Sequence, residues 1–268
     1  SESRRNKKDP CLSVNITEGI YNCHNCSWKG NVKHFDRKEP KKNFVRPDKW
    51  MLKDIELGEK VVAYFQKRGI SKKTLDKFFI HAKEEFMPQT AKKERCIVFP
   101  YLRDTEIINA KYRDGNKNFK MIKDAELVFF GMQTLEGRHC AIATEGEADA
   151  LAVYEAGFGN DYEPIVNSDG EVVEHELGRW AVLSVPNGAS KGSQRLEYLD
   201  NCSDYLSGID EYVIATDNDE AGIALKDELV RRLGAEKCRV VEYPKEHIPE
   251  LQRPVKDMNE VLVYFGEN

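Results

Sequence analysis

The stretch Glu211-Tyr212-Val213-Ile214-Ala215-Thr216-Asp217-Asn218-Asp219-Glu220-Ala221-Gly222 runs an apolar, β-branched segment straight into three carboxylates within four positions. Like charges this close repel and each resists desolvation, so the cluster is costly unless something positive sits among them. Two chemistries answer that cost. A helix beginning here takes an aspartate as its N-cap and acidic residues in its first turn, which accounts for Asp219 and Glu220. A divalent cation instead draws on Asp217 and Asp219, which lie two apart and therefore on one side of a chain that is still extended. A second apolar run, His139 to Thr144, ends in Glu145-Gly146, and Asp149 follows four residues later. Asp149 reads equally as a capping or exposed carboxylate and as a neighbour of the metal. Asp257, in Val255-Lys256-Asp257-Met258-Asn259-Glu260, reads equally as a fourth ligand and as the cap of a last helix.

These groups meet only if the strands that carry them end side by side. From residue 139 apolar strands alternate with helical segments: HCAIATEG then EADALAVYEAG, WAVLSVPNG, and EYVIATDNDEAG then GIALKDELVRRLG, with CRVVEYP as a further strand. Such alternation predicts an α/β parallel sheet, whose ligands bind outside the carboxyl ends of the strands. If the strands ending at Glu145 and Asp217 are neighbours, Glu145, Asp217 and Asp219 converge on one crevice. Residues 159–178 are polar and acidic and read as a surface insertion. Upstream, 57–68 reads as a helix stopped by Gly69, and Ser71 caps a second short one. Residues 96–114 alternate as strands, with a turn at Arg103-Asp104. Residues 11–30 read as short strands and turns around Cys23-His24-Asn25-Cys26, and 36–49 as a charged, proline-punctuated linker.

The 268 residues suffice for one large or two modest domains. Net charge is −5, but residues 1–135 carry 29 Lys/Arg against 18 Asp/Glu, and residues 136–268 carry 12 against 28. A basic half joined to an acidic half predicts polyanion binding by the first and cation binding by the second. No apolar run is long enough to span a membrane, and the basic, polar N-terminal residues lack the apolar centre of a secretory signal. Seven unevenly spaced cysteines do not make a disulfide framework, so a reducing, cytoplasmic setting is expected.

Glu145-Gly146-Glu147-Ala148-Asp149-Ala150 together with Asp217-Asn218-Asp219 resembles the Toprim signature. The ordered series NAKYRDGNKNFK (109–120), Phe130-Gly131, EGEADAL, SVPNGAS (184–190), DNDEAG and KDMNE resembles the primase half of phage primase–helicases and of their mitochondrial relative Twinkle. That resemblance implies a Toprim parallel-sheet domain at 136–268. A small mixed α/β basic subdomain at 56–135, a linker at 36–55 and a partial zinc-ribbon segment at 1–35 would precede it. It implies a DNA-directed RNA primase in a phage-infected or bacterial cell, acting on a single-stranded DNA template with ribonucleoside triphosphates and an RNA primer. Glu145, Asp217, Asp219 and Asp257 would hold Mg²⁺ or Mn²⁺, with Glu145 also a base toward the primer 3′-hydroxyl. Lys111, Arg113, Lys117 and Lys120 would meet triphosphate or template phosphates, Lys111 with a catalytic part. Asn187, Gly188 and Ser190 would offer exposed backbone to the nucleotide.

The same resemblance gives Cys23 and Cys26 as one half of a zinc site. The other pair is expected upstream of residue 1, and Cys11 and His34 are candidate substitutes, since tetrahedral Zn²⁺ needs four ligands. A replicative helicase is the expected partner, either separate or fused in a longer protein, because no Gly-x-x-x-x-Gly-Lys-Ser/Thr loop occurs here. The rival readings are a Toprim nuclease using the same metals, and a non-catalytic Toprim module that binds DNA or protein.

Overall fold

The computed structural model describes residues 11–16, 20–23, 29–31, 43–47, 57–160, 163–166, 168–170, 172–176, 178–189 and 196–266. The expectations for Cys26, His34 and Ser190 fall outside these residues. The chain divides into two compact units, residues 1–43 and 44–268. The first contains an antiparallel sheet of β1 (Leu12–Asn15), β2 (Ile20–Cys23) and β3 (Lys29–Asn31), the short strands read from the sequence.

The second unit opens with α1 (Glu59–Gln66) and α2 (Lys72–Lys77). Gly69 follows α1 at φ +73°, a left-handed turn that favours glycine, and the Ser71 hydroxyl accepts the Thr74 N–H as the cap of α2. A four-stranded antiparallel sheet comes next: β4 (His81–Met87), β5 (Lys92–Arg103), β6 (Glu106–Arg113) and β7 (Phe119–Met121), adjacent in chain order. The β5–β6 hairpin turns at Asp104, as the Arg103-Asp104 signal predicted.

The remainder builds the parallel sheet. Its elements are β8 (Cys140–Thr144), α3 (Glu147–Glu155), the hairpin β9 (Glu163–Val166) and β10 (Val172–Glu176), β11 (Trp180–Ser184), and α4 (Glu197–Asn201). They are followed by α5 (Ser203–Leu206), β12 (Glu211–Ala215), α6 (Glu220–Leu233), β13 (Cys238–Val240) and α7 (Met258–Phe265). The strand order is β11-β8-β12-β13, every pair parallel. All five residues of β8 are buried, as befits a central strand covered on both faces. The insertion read at 159–178 contributes the two-stranded β9–β10 hairpin, a sheet of its own.

A single buried cluster runs from α1 and α2 through the antiparallel sheet into the parallel one. Its joint is aromatic. Phe130, fully buried, stacks on Phe78 at 5.4 Å and meets Tyr101 and Phe99 edge-on at 5.6 and 6.1 Å. The Phe130 backbone exchanges both hydrogen bonds with Ser184, so the chain leaving the antiparallel sheet is fastened to the edge strand of the parallel one. Gly131 then turns at φ +87°, where a Cβ would stand 2.1 Å from the Val182 carbonyl oxygen. Among the described residues, no helix is long and apolar enough to cross a membrane.

Truncating the joint tests its weight. Phe130→Ala is expected to cost about 3–5 kcal/mol in urea unfolding. A loss below about 1 kcal/mol would show that the two sheets are held by something else.

Candidate active site

The connection from β8 leads to β11 on one side, while β12 pairs on the other, so a topological switch point opens at the carboxyl end of β8. Thr144 is in register with Ala215, which sets Glu145 and Asp217 just past the ends of adjacent strands. The Glu145 carboxylate accepts two backbone N–H groups, from Ala189 at 3.1 Å and from Asp217 at 3.2 Å. It thereby bridges the turn after β11 and the end of β12. Burial and the negative charge of Asp217 raise its pKa, and the two amide bonds oppose the rise.

Asp219 caps α6, its Oδ1 accepting from Ala221 and Gly222 N–H at 3.0 Å each. The helix comes close to Asp217 only because residue 222 is glycine: a Cβ there would lie 2.0 Å from the Asp217 carbonyl oxygen. Asp257 caps α7 through the Glu260 N–H at 2.8 Å. Both capping readings of these aspartates therefore hold, and each leaves a second carboxylate oxygen outside the cap. Lys256, beside Asp257 in sequence, donates to Asp217 Oδ2 at 2.8 Å and stands 3.8 Å from Asp257. Burial alone would lower the pKa of Lys256, but the hydrogen bond and charge of Asp217 outweigh it and the pKa rises. The sequence offered no sign that this lysine counters the cluster.

Asp149 lies buried in the first turn of α3, its Oδ1 accepting the Asn259 N–H at 3.0 Å. Burial first, then the charges of Asp257 and Asp217, push its pKa well above the ordinary aspartate value. Asp257 is raised as well, by burial and by Glu260 and Asp217. Asn259 in turn clasps α1, its side chain accepting from Arg68 Nη1 at 2.6 Å and donating to the Arg68 carbonyl at 2.8 Å.

Among the described residues no three His, Cys, Asp or Glu side chains are gathered closely enough to hold a metal ion as they stand. They are occupied by backbone amides and by Lys256. The donor set nonetheless suits a hard divalent cation: all oxygen, at a switch point, with three carboxyls whose ionisation is disfavoured first by burial and then by neighbouring carboxylates.

The antiparallel sheet supplies the basic side. Lys111 is buried, its ammonium donating to Glu147 at 2.7 Å and to the Pro186 carbonyl at 3.1 Å. Tyr101 donates to the same Glu147 carboxylate, and burial with that neighbour raises the phenol pKa far above its usual value. Lys111 is thus an internal ion pair one residue from Asn187, and Asn187 and Gly188 form the half-buried turn at the crevice edge. Arg113 and Lys117 line a cavity of about 350 Å³ with Lys60, Tyr64, Arg68 and Arg95. Lys120 is turned to the opposite face, paired with Glu85 at 2.9 Å, because successive side chains of a strand alternate. In the first unit Cys23 is buried with its Sγ 3.5 Å from that of Cys11.

A covered parallel sheet with an acidic crevice at its switch point defines an open α/β ligand-binding domain. Residues 142–262 match the family described as Toprim-like. The chain is 33% identical over 221 residues to the primase homolog protein of Arabidopsis thaliana, covering 78% of this chain and 57% of that protein. It is 32% identical over 210 residues to the chloroplastic/mitochondrial Twinkle homolog protein of the same plant, covering 78% of this chain and 27% of the relative. It therefore spans little more than half of one relative and about a quarter of the other. The fold is shared with the crystal structure of the primase fragment of the bacteriophage T7 primase–helicase, at TM-score 0.53, 22% identity, and coverage of 96% of this chain and 90% of that one.

Two measurements probe the crevice charge. The folded state holds the Asp149 proton more tightly than the unfolded chain does. Its carboxyl therefore favours folding at low pH, an advantage lost as pH rises from the ordinary value of ~3.9 through the raised folded value. Asp149→Asn keeps an acceptor for Asn259. In chelator, its stability relative to the wild type is expected to grow as pH rises from 4 to 8; a constant difference would contradict the assignment. Lys256→Met is expected to tighten Mn²⁺ binding about fivefold, on the order of 1 kcal/mol for a half-exposed cation, by paramagnetic titration. Unchanged affinity would mean that Lys256 does not counter the crevice.

Proposed function

We propose that this chain is the catalytic core of a DNA-directed RNA primase, joining ribonucleotides on single-stranded DNA. The observation that carries this reading is the register of β8 against β12, which sets Glu145 beside Asp217 at the switch point. The Lys111–Glu147 pair brings the basic sheet to the same edge. The similarity to a primase homolog and a Twinkle homolog supports it.

In this reading residues 56–135 face the template and 136–268 carry the chemistry, with 36–55 a linker and 1–35 a partial zinc ribbon. Glu145, Asp217 and Asp219, with Asp257, would hold Mg²⁺ or Mn²⁺, which when bound supplies charge neutralisation at the transferring phosphate. Glu145, its pKa already raised, receives the proton of the primer 3′-hydroxyl as that oxygen attacks the α-phosphate of the incoming ribonucleoside triphosphate and pyrophosphate leaves. Arg113 and Lys117 bind phosphates as fixed charges, and the ammonium of Lys111 steadies the turn carrying Asn187 and Gly188. Lys120, held by Glu85 on the far face, contributes only to the general basic field. The Cys11 and Cys23 thiols have the donor chemistry for Zn²⁺, with the remaining ligands to come from residues not described. A replicative helicase is the expected macromolecular partner.

The test is extension of a short RNA primer annealed to single-stranded DNA, with labelled ribonucleotides and Mg²⁺. The supplied primer bypasses any need for a zinc ribbon. Wild-type extension is expected, with a loss of about 10²-fold or more in Asp217→Asn at little change in melting temperature. Metal-dependent cutting of the DNA without extension would replace this reading by a nuclease. A large fall in melting temperature would mark Asp217 as structural.

A further inference from the structure

Phe119 opens β7 and is 49% exposed. Three features hold it in place. Asp114 accepts the N–H groups of Asn116 and Asn118 and the Asn118 side-chain amide, each at 2.9 Å, which fixes the loop leading into β7. Gln89 Nε2 donates to the Phe119 carbonyl at 2.9 Å. Phe119 is directly cross-strand from Arg113, so the two side chains share a face of the sheet. That is also the face of Lys111, whose ammonium lies 4.9 Å from the ring centroid and 3.1 Å from the Pro186 carbonyl oxygen.

An exposed aromatic ring costs free energy in water and loses little side-chain freedom on meeting a flat partner. This ring is held beside two cations and next to the turn that borders the crevice. Arg113 and Lys117 at its flank also line the basic cavity, whose one acid, Asp114, is consumed by its own loop. A flat π-surface flanked by positive charge is the combination that recognises a base and its phosphate in single-stranded nucleic acid.

We propose that Phe119 is a stacking platform for a base of the single-stranded DNA template, with Arg113 taking the adjoining phosphate, so that the strand passes the crevice edge at Asn187. This rests on the primase reading above. Stacking needs a base and no counter-ion release, whereas the phosphate contact needs the charge alone. The two contributions are therefore separable by experiment.

The experiment is fluorescence anisotropy with a fluorescein-labelled oligothymidylate and with an abasic strand of equal length, each over a range of salt concentrations. Phe119→Ala is expected to weaken oligothymidylate binding about fivefold or more, with an unchanged salt slope and no effect on the abasic strand. Phe119→Trp should restore binding. Arg113→Ala should weaken both strands and lower the salt slope by about one. Equal loss on both strands, or no loss with Phe119→Ala, overturns the platform while leaving the primase reading to the extension assay. Failure of the wild type to bind either strand overturns both. A changed nucleotide KM at unchanged DNA affinity would reassign the ring to the incoming nucleotide and also overturn the proposal. Because the ring is half exposed, the melting temperature of Phe119→Ala should stay near that of the wild type, and that is measured alongside.

Discussion

Parallel pairing of β8 with β12 is the interaction on which the rest of the site depends. The register that opposes Thr144 to Ala215 fixes the exits of the two strands, and the exits carry Glu145 and Asp217. Backbone hydrogen bonds do not yield to the repulsion between two carboxylates, so the charge must be managed by other means. The protein uses several. Glu145 draws on two backbone amides, Asp219 and Asp257 on helix N-termini, Asp217 on Lys256, and Asp149 on the Asn259 amide. Each device is local and none moves a strand. The close approach of α6 belongs to the same constraint, since only a glycine at 222 lets the helix end lie against the Asp217 backbone.

The second requirement is that the basic sheet keep a fixed relation to the acidic one. Chain continuity alone would not supply it. The Phe130–Ser184 backbone exchange joins the sheets in the core, and the Tyr101–Glu147–Lys111 group joins them at the crevice edge. Glu155, on the last turn of α3, accepts from the Ser71 N–H at 2.9 Å and from the Ser71 and Thr74 hydroxyls, tying α2 to the same helix. Asn259 does the equivalent for α1 and α7. α3 is thus gripped at both ends, by Glu155 at its last turn and by Glu147 and Asp149 at its first. The residues with chemistry sit on a helix start that has little freedom to shift.

Much of this was legible in the sequence, for a physical reason. Strand–helix alternation after residue 139, the Ser71 cap, the Asp104 turn and the strand ends at Glu145 and Asp217 are set by local pattern and backbone preference, which a sequence displays directly. Which strands become neighbours is not local, and the convergence of Glu145 with Asp217 could be stated only conditionally. Lys111 shows the same limit. Its residue type suggested a solvent-facing phosphate ligand, whereas its partner Glu147 lies 36 positions away and makes it an internal ion pair. The resemblance groups Lys120 with Lys111, yet the two are on different strands and their cross-strand pairing puts them on opposite faces. Lys256 carries no local signal, because a lysine announces nothing until its carboxylate is known. The face of Lys120 follows from the pairing of β6 with β7, which is not local, and nothing local would have found Lys256 or Asn259.

The division of charge explains why the two sheets must lie so close. A crevice with this many carboxylates repels a polyanion, and in physiological salt an exposed positive charge more than about 8 Å away does little to offset that. Net composition of the basic half is therefore a weak lever, and placement is the strong one. Lys111, 3.1 Å from the Pro186 carbonyl and shielded from solvent, acts at the crevice edge itself. Its pairing with Glu147 keeps its own burial from being prohibitive. Arg113 at the end of β6 and Lys117 in the turn before β7 line the basic cavity. The lysine on the far face is paired and turned away. Strand register sets Lys111 and Arg113 on one face of the antiparallel sheet, and Lys111 reaches Glu147 at the start of α3.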